Sequence, residues 1–67
     1  NIRVNTVCPG GVLENQYKSF IKNYSERVPL GRLANKNEIA QAVLFLASDA
    51  ASYTNGECIV VDGGMTL

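Results

Sequence analysis

The sequence predicts an α/β unit: two parallel strands joined by a helical crossover. Three observations predict it. Ile2-Arg3-Val4-Asn5-Thr6-Val7 and Glu57-Cys58-Ile59-Val60-Val61 are short, apolar and rich in β-branched residues. Each runs into a glycine pair, Cys8-Pro9-Gly10-Gly11 after the first and Asp62-Gly63-Gly64 after the second. Between them lie two segments whose apolar residues recur at helical spacing. Two buried strands connected through helices lie parallel, with a right-handed crossover. One such unit leaves sheet edges open and cannot close a sheet by itself.

Taken in order, residues 2–7 form the first strand, with apolar residues toward both faces as in a parallel sheet. Pro9 stops it, having no N–H to donate and a fixed φ. Gly10 and Gly11 then allow positive φ or a close approach to another group. A strand that breaks off in Pro-Gly-Gly and feeds a helix reads either as plain turn punctuation or as a ligand-facing loop, because open α/β sheets bind ligands beyond the carboxyl ends of their strands.

Residues 8–14 are loop and residues 15–28 an amphipathic helix, with Tyr17, Phe20, Ile21, Tyr24 and Val28 on one face and Lys18, Lys22, Asn23, Glu26 and Arg27 on the other. The aromatic face is either core packing or a lid over a substrate cleft touched by Tyr17 or Phe20. Pro29 and Gly31 end that helix, and Pro29-Leu30-Gly31-Arg32-Leu33-Ala34 is a connector. Asn35, with Glu38 three residues on, is the capping box of a second helix over 36–48. Its apolar stripe runs most of the way round, which calls for cover on more than one side. Residues 49–56 are a polar loop turning at Asn55-Gly56, and residues 57–61 are the second strand.

The totals narrow the function classes. With 67 residues there is room for one small unit, and a chain this size buries only about 60 % of its unfolded surface. Its open strand edge and apolar helix face predict that it is no stable monomer in isolation. Six basic and six acidic residues cancel and are interspersed, so there is no basic stripe for nucleic acid. No apolar run approaches the roughly 18 residues of a membrane span. Histidine is absent and the two cysteines, Cys8 and Cys58, lack CxxC spacing, which argues against a metal site and a disulfide scaffold. A single Cys8–Cys58 bridge stays open, but both residues sit in apolar strand contexts and read as buried thiols, consistent with a reducing, cytoplasmic setting. The opening at Asn1, without methionine and directly into a strand, points to a piece of a longer chain.

Five motifs in order carry a resemblance: Arg3-Val4-Asn5-Thr6-Val7-Cys8-Pro9-Gly10, Pro29-Leu30-Gly31-Arg32, Glu38-Ile39-Ala40, Val43-Leu44-Phe45-Leu46-Ala47-Ser48-Asp49 and Val60-Val61-Asp62-Gly63-Gly64. Together they resemble the C-terminal third of a short-chain dehydrogenase/reductase. The resemblance implies a Rossmann-type, doubly wound parallel sheet of which this chain holds the last two strands. It also implies an NAD(P)-dependent parent that moves hydride between nicotinamide and a carbonyl or alcohol. Pro9, Gly10, Gly11, Val12 and Glu14 would line the cofactor, with the backbone N–H and C=O of Val12 holding the nicotinamide carboxamide. Tyr17 and Phe20 would shape the substrate pocket. A homodimer or homotetramer would use Ala40, Val43, Leu44, Ala47, Ile59, Val60 and Val61, with Asp62-Gly63-Gly64 near the subunit contacts. Gly11 and Asn15-Gln16 faintly resemble members acting on sugar-related compounds of surface-glycan synthesis.

The chain departs from the family pattern at Glu14, where threonine is usual, at Lys36, where proline is frequent, and at Asn55-Gly56, where Thr-Gly is usual. The family's Tyr-x-x-x-Lys pair is absent: Tyr17 is followed four residues later by Ile21, Tyr24 by Val28 and Tyr53 by Glu57. No catalytic residue is assigned to these positions. The competing reading is a non-catalytic dimerisation or interaction module derived from the same family, for which Glu14 is the main support.

Overall fold

A computed structural model of the chain describes residues 2–67. Two strands, β1 (Thr6–Pro9) and β2 (Cys58–Val61), flank two helices, α1 (Lys18–Arg27) and α2 (Lys36–Ala47), and a 3₁₀ turn at Asp49–Ala51 follows α2. The strands pair in parallel with Thr6 opposite Cys58 and Pro9 opposite Val61. The α/β class, the element order and the parallel pairing are those expected.

The first strand lies further along than the expected 2–7. The reason is the ladder partner: β2 faces only Thr6–Pro9. The preceding residues are tied through side chains and turns instead. Val4 N–H donates to Asn55 Oδ1 at 2.9 Å, and Asn5 receives from Glu57 N–H through Oδ1 at 2.9 Å. Pro9 does not interrupt the ladder. Thr6 and Gly10 donate to Glu57 and Val61, at 2.8 and 3.0 Å. Alternation then turns Pro9's missing N–H away from β2.

Helix α1 is shorter than the expected 15–28. Gln16 folds back on the loop, and Tyr17 caps the helix with extended backbone and no side-chain bond. At the other end Val28 is extended, as the residue before a proline prefers. Helix α2 starts where expected. Asn35 Oδ1 accepts from Glu38 N–H at 3.3 Å and Glu38 Oε1 accepts from Asn35 N–H at 3.0 Å, a complete capping box. At its end Ser48 Oγ donates to the Phe45 carbonyl at 2.8 Å. Arg3 Nη1 donates to the Leu46 carbonyl at 3.1 Å, placing a cation at the negative end of the helix dipole. The expected loop over 49–56 contains the 3₁₀ turn, whose Ala51 is fully buried.

Among the described residues only Val28, Leu33 and Ala51 are buried. Val43, Leu44, Phe45 and Val60 are each 41–61 % exposed. The two cysteines correct the buried-thiol reading. Cys8 and Cys58 are joined by a disulfide, and Cys58 is exposed. The cause is register. Thr6 faces Cys58, so Cys8, two residues on, projects from the same sheet face one diagonal away, with its Cα 6.7 Å from that of Cys58.

The connector is held by a bidentate pair. Arg32 Nη1 and Nη2 reach Glu38 Oε1 and Oε2 at 2.7 and 2.9 Å. Those bonds, with the Asn35 N–H, lower the Glu38 carboxyl from 4.5 to about 2, and Glu38 in turn raises the Arg32 guanidinium. A depressed carboxyl contributes stability above its unfolded value and loses it as pH falls. The thermal midpoint is therefore expected to fall in acid, most steeply between about 4.5 and 2 for this group. In Glu38→Gln that part of the acid limb flattens, and variant and wild type converge near the low end. Equal midpoint differences at pH 7 and pH 2 would remove the pair from the acid response.

Candidate functional site

The site is built on the Pro9-Gly10-Gly11 loop leaving β1. Gly10 and Gly11 are not at positive φ; among the described residues only Gly31, Gly56, Gly63 and Gly64 are. Of the two roles expected for this pair, positive φ is corrected and close approach holds. A Cβ at Gly10 would stand 2.7 Å from Asp62 Cβ and 2.9 Å from Asp62 Cα. A Cβ at Gly11 would stand 2.6 Å from Cζ of the Tyr24 ring. The loop is thus seated on the turn after β2 below and on α1 beside it.

That turn is rigid. Asp62 Oδ1 accepts from Gly64 N–H at 2.9 Å, and Oδ2 from the Thr66 hydroxyl at 2.7 Å and Thr66 N–H at 3.1 Å. These bonds, the Thr66 hydroxyl foremost, lower the Asp62 carboxyl below its ordinary value. Gly63 and Gly64 follow at φ 65° and 94°, which side-chain-bearing residues rarely adopt. Asp62 was expected near subunit contacts; the structure shows what else it does, which is to carry Gly10.

Beyond the glycines the chain runs as a one-residue bridge, Val12 to Ala34. Ala34 N–H donates to Gly11 C=O at 2.9 Å, and Leu13 N–H to Ala34 C=O at 2.7 Å. Backbone alternation therefore turns the N–H and C=O of Val12 to the opposite side. There the Gln16 carboxamide docks: Nε2 donates to Val12 C=O at 2.8 Å, and Oε1 accepts from Glu14 N–H at 2.7 Å. A carboxamide thus fits this edge. The Glu14 carboxylate does not contest it, because it pairs with Lys36 Nζ at 2.6 Å. Two of the three departures from the family pattern, Glu14 and Lys36, meet each other.

Tyr24 is the residue sequence reasoning undervalued. It was placed on the aromatic face of α1, but its hydroxyl accepts from Gly11 N–H at 2.8 Å. Phe20 stacks on it, centroids 5.8 Å apart. Only the spacing of four between the two aromatics signalled this. Tyr17 lies outside the group, 87 % exposed at the helix start, and Phe20 is half exposed. A cavity of about 90 Å³ lies between Gly11, Tyr24, Arg32, Glu38 and Asp62. Of the expected interface residues, Ala40, Val43, Leu44, Ala47 and Val60 are exposed, while Ile59 and Val61 are partly covered.

Residues 1–66 match the sequence profile of the family described as enoyl-(acyl carrier protein) reductase. Among curated proteins, the chain is 48 % identical to a 3-oxoacyl-(acyl-carrier-protein) reductase of Chlamydia trachomatis, over 97 % of this chain and 28 % of that protein. It is 43 % identical to a tropinone reductase homologue of Arabidopsis thaliana, over 100 % of this chain and 26 % of that protein. Among solved structures, a short-chain dehydrogenase of Leptospira borgpetersenii with bound NAD+ superposes with a TM-score of 0.90 at 42 % identity, covering 97 % of this chain and 26 % of that one. The chain thus spans between a quarter and a third of the length of these three proteins.

Proposed function

Because the chain belongs to the short-chain dehydrogenase/reductase family, we propose that it is the C-terminal part of a longer, Rossmann-type NAD(P)-dependent oxidoreductase. In that reading β1 and β2 are the last two strands of its doubly wound parallel sheet, and the phosphate-binding and catalytic segments lie upstream. The observation that carries the reading is the outward Val12 edge, which already holds a carboxamide, that of Gln16. Pro9, Gly10 and Gly11 present bare backbone beside it. Glu14 lines the same edge with its carboxylate drawn aside to Lys36. When bound, the nicotinamide gives or takes hydride at a carbonyl or alcohol carbon of a small-molecule substrate. This chain's part is to fix the ring by its carboxamide, for which Gln16 gives way or shares the second lone pair of the Val12 carbonyl.

Tyr17 and Phe20, exposed on the loop side of α1, are assigned to the substrate pocket. The narrower reading, a sugar-related compound of surface-glycan synthesis, rests on Gly11 and Asn15-Gln16 alone. Gln16 is spent on Val12, so the proposal stops at carbonyl and alcohol substrates. Self-association through Ala40, Val43, Leu44, Ala47 and the strand Ile59–Val61 is supported by the uncovered apolar side chains of α2 and β2. Light scattering on the full-length protein tests it, and a monomer would overturn it. Among the described residues no helix is long and apolar enough to cross a membrane. A cytoplasmic placement requires the Cys8–Cys58 bridge to be reduced in the cell, which differential alkylation of lysates reads directly.

The deciding experiment is titration of the full-length protein with NADH and NADPH, followed by nicotinamide fluorescence. Saturable enhancement with one or both is expected. No binding in an intact, folded protein would overturn the cofactor reading and favour a non-catalytic interaction module. Glu14 was the ground for that module, and its pairing with Lys36 removes it as an obstacle to cofactor.

A further inference from the structure

We infer that Tyr24 is a positioning residue for the nicotinamide: it holds the Gly10-Gly11-Val12 loop in register from the substrate-side helix. The inference rests on the cofactor reading above and goes beyond it in assigning a role to α1.

Two independent observations carry it. The first is polar. Gly11 N–H donates to Tyr24 Oη at 2.8 Å, a bond that spans from the loop to the second turn of α1. The second is steric. Gly11 has no unusual φ, so nothing in its backbone conformation demands glycine. What demands it is the Tyr24 ring, whose Cζ and Cε1 would lie 2.6 and 2.7 Å from a Cβ there. Residues 11 and 24 are therefore matched as a pair, bare backbone against ring and N–H against hydroxyl.

The rest of α1 makes this contact matter. Its backbone approaches neither the two strands nor α2 closely, and none of its residues is buried. The Tyr24 side chain is thus its tie to the loop, and Phe20 braces that ring from the exposed side. A peptide unit held at Gly11 sets the direction of the next one, and the next one carries the Val12 N–H. Releasing the Gly11 N–H leaves the Val12 edge held by the Ala34 bonds alone, at the Gly11 carbonyl and the Leu13 N–H, so the edge loosens without disturbing β1, whose ladder ends at the Gly10 bond to Val61. A residue at the helix surface thereby sets how well the nicotinamide end is gripped, and leaves the rest of the cofactor site untouched.

The test uses the full-length protein and two probes: NADH, and ADP-ribose, which lacks the nicotinamide. Where the wild type prefers NADPH, that cofactor and 2′-phospho-ADP-ribose replace them. Tyr24→Phe keeps the ring and removes the hydroxyl. It is expected to weaken NADH binding about five- to ten-fold, the effect of one backbone hydrogen bond, with ADP-ribose affinity unchanged and the thermal midpoint only slightly lowered. Gly11→Ala is expected to show the same loss of NADH over ADP-ribose, with a lowered thermal midpoint, because its Cβ would stand 2.6 Å from the Tyr24 ring. In the double variant the losses should be less than additive, since both act on one contact. Unchanged NADH affinity in Tyr24→Phe overturns the inference. So does equal weakening of NADH and ADP-ribose, which would make Tyr24 structural only. If the wild type binds neither probe, the cofactor reading itself falls and this inference with it; binding of ADP-ribose by all variants keeps the two failures apart.

Discussion

Gly10→Val in the full-length protein is expected to cost roughly 3 kcal/mol of stability, the upper end of ordinary overpacking, and to weaken NADH binding by about tenfold or more. The cause is contact, not φ. The first side-chain carbon would stand 2.7 and 2.9 Å from Asp62 Cβ and Cα, and valine adds two methyl groups beyond it. Asp62 cannot yield as a flexible side chain would, since the nearest atoms are its backbone and Cβ. Both its carboxylate oxygens are also engaged by Gly64 and Thr66. The strain is relieved by lifting the loop off the turn, which breaks the Gly10 N–H bond to Val61 and shifts the Val12 edge. Gly31→Ala is the control. Gly31 sits at φ 79° with open space around it, so the change costs about 1 kcal/mol of backbone strain and leaves NADH affinity unchanged. Denaturant unfolding and NADH titration of both variants decide the matter. Wild-type NADH affinity in Gly10→Val would remove the loop from the cofactor site.

Reduction of the Cys8–Cys58 bridge is the second large effect. The bridge joins residues 50 apart in sequence. In the chain-entropy account, closing a loop of that length restricts the unfolded state by roughly 4 kcal/mol at 25 °C. Oxidised protein is therefore expected to unfold at a distinctly higher urea concentration than the same protein in dithiothreitol. Cys58→Ser under oxidising conditions should match the reduced wild type. The two strands stay paired either way, because the ladder from Thr6 to Gly10 does not depend on sulfur. Cofactor affinity should then change far less than stability. Identical urea midpoints with and without reductant would show that the bridge does not stabilise the fold.

The sequence alone settled what depends on neighbours along the chain. The capping box of Asn35 and Glu38 is a spacing of three, and both bonds form. Val28 before Pro29 had to leave the helix, and it did. Strand, helix, helix, strand followed from periodicity and glycine punctuation, and parallel pairing followed from the crossover. The motifs running from Arg3 to Gly64 were enough to recognise the family.

What depends on two distant segments meeting had to wait for the fold. Register placed Cys8 diagonally from Cys58 and turned two supposed buried thiols into a bridge. Glu14 looked like an intruder in a cofactor loop until Lys36, at the first turn of α2, was seen to hold it aside. Pro-Gly-Gly announced a special backbone, but local sequence cannot tell positive φ from a close approach, since glycine serves both. Only the packing of Asp62 beneath Gly10 and of Tyr24 against Gly11 decided for the second. Helical spacing put Tyr24 on an aromatic face, and the tertiary structure gave its hydroxyl to the Gly11 N–H. Sequence periodicity reports which face of an element is turned inward, whereas the identity of the atom waiting there is a property of the other element.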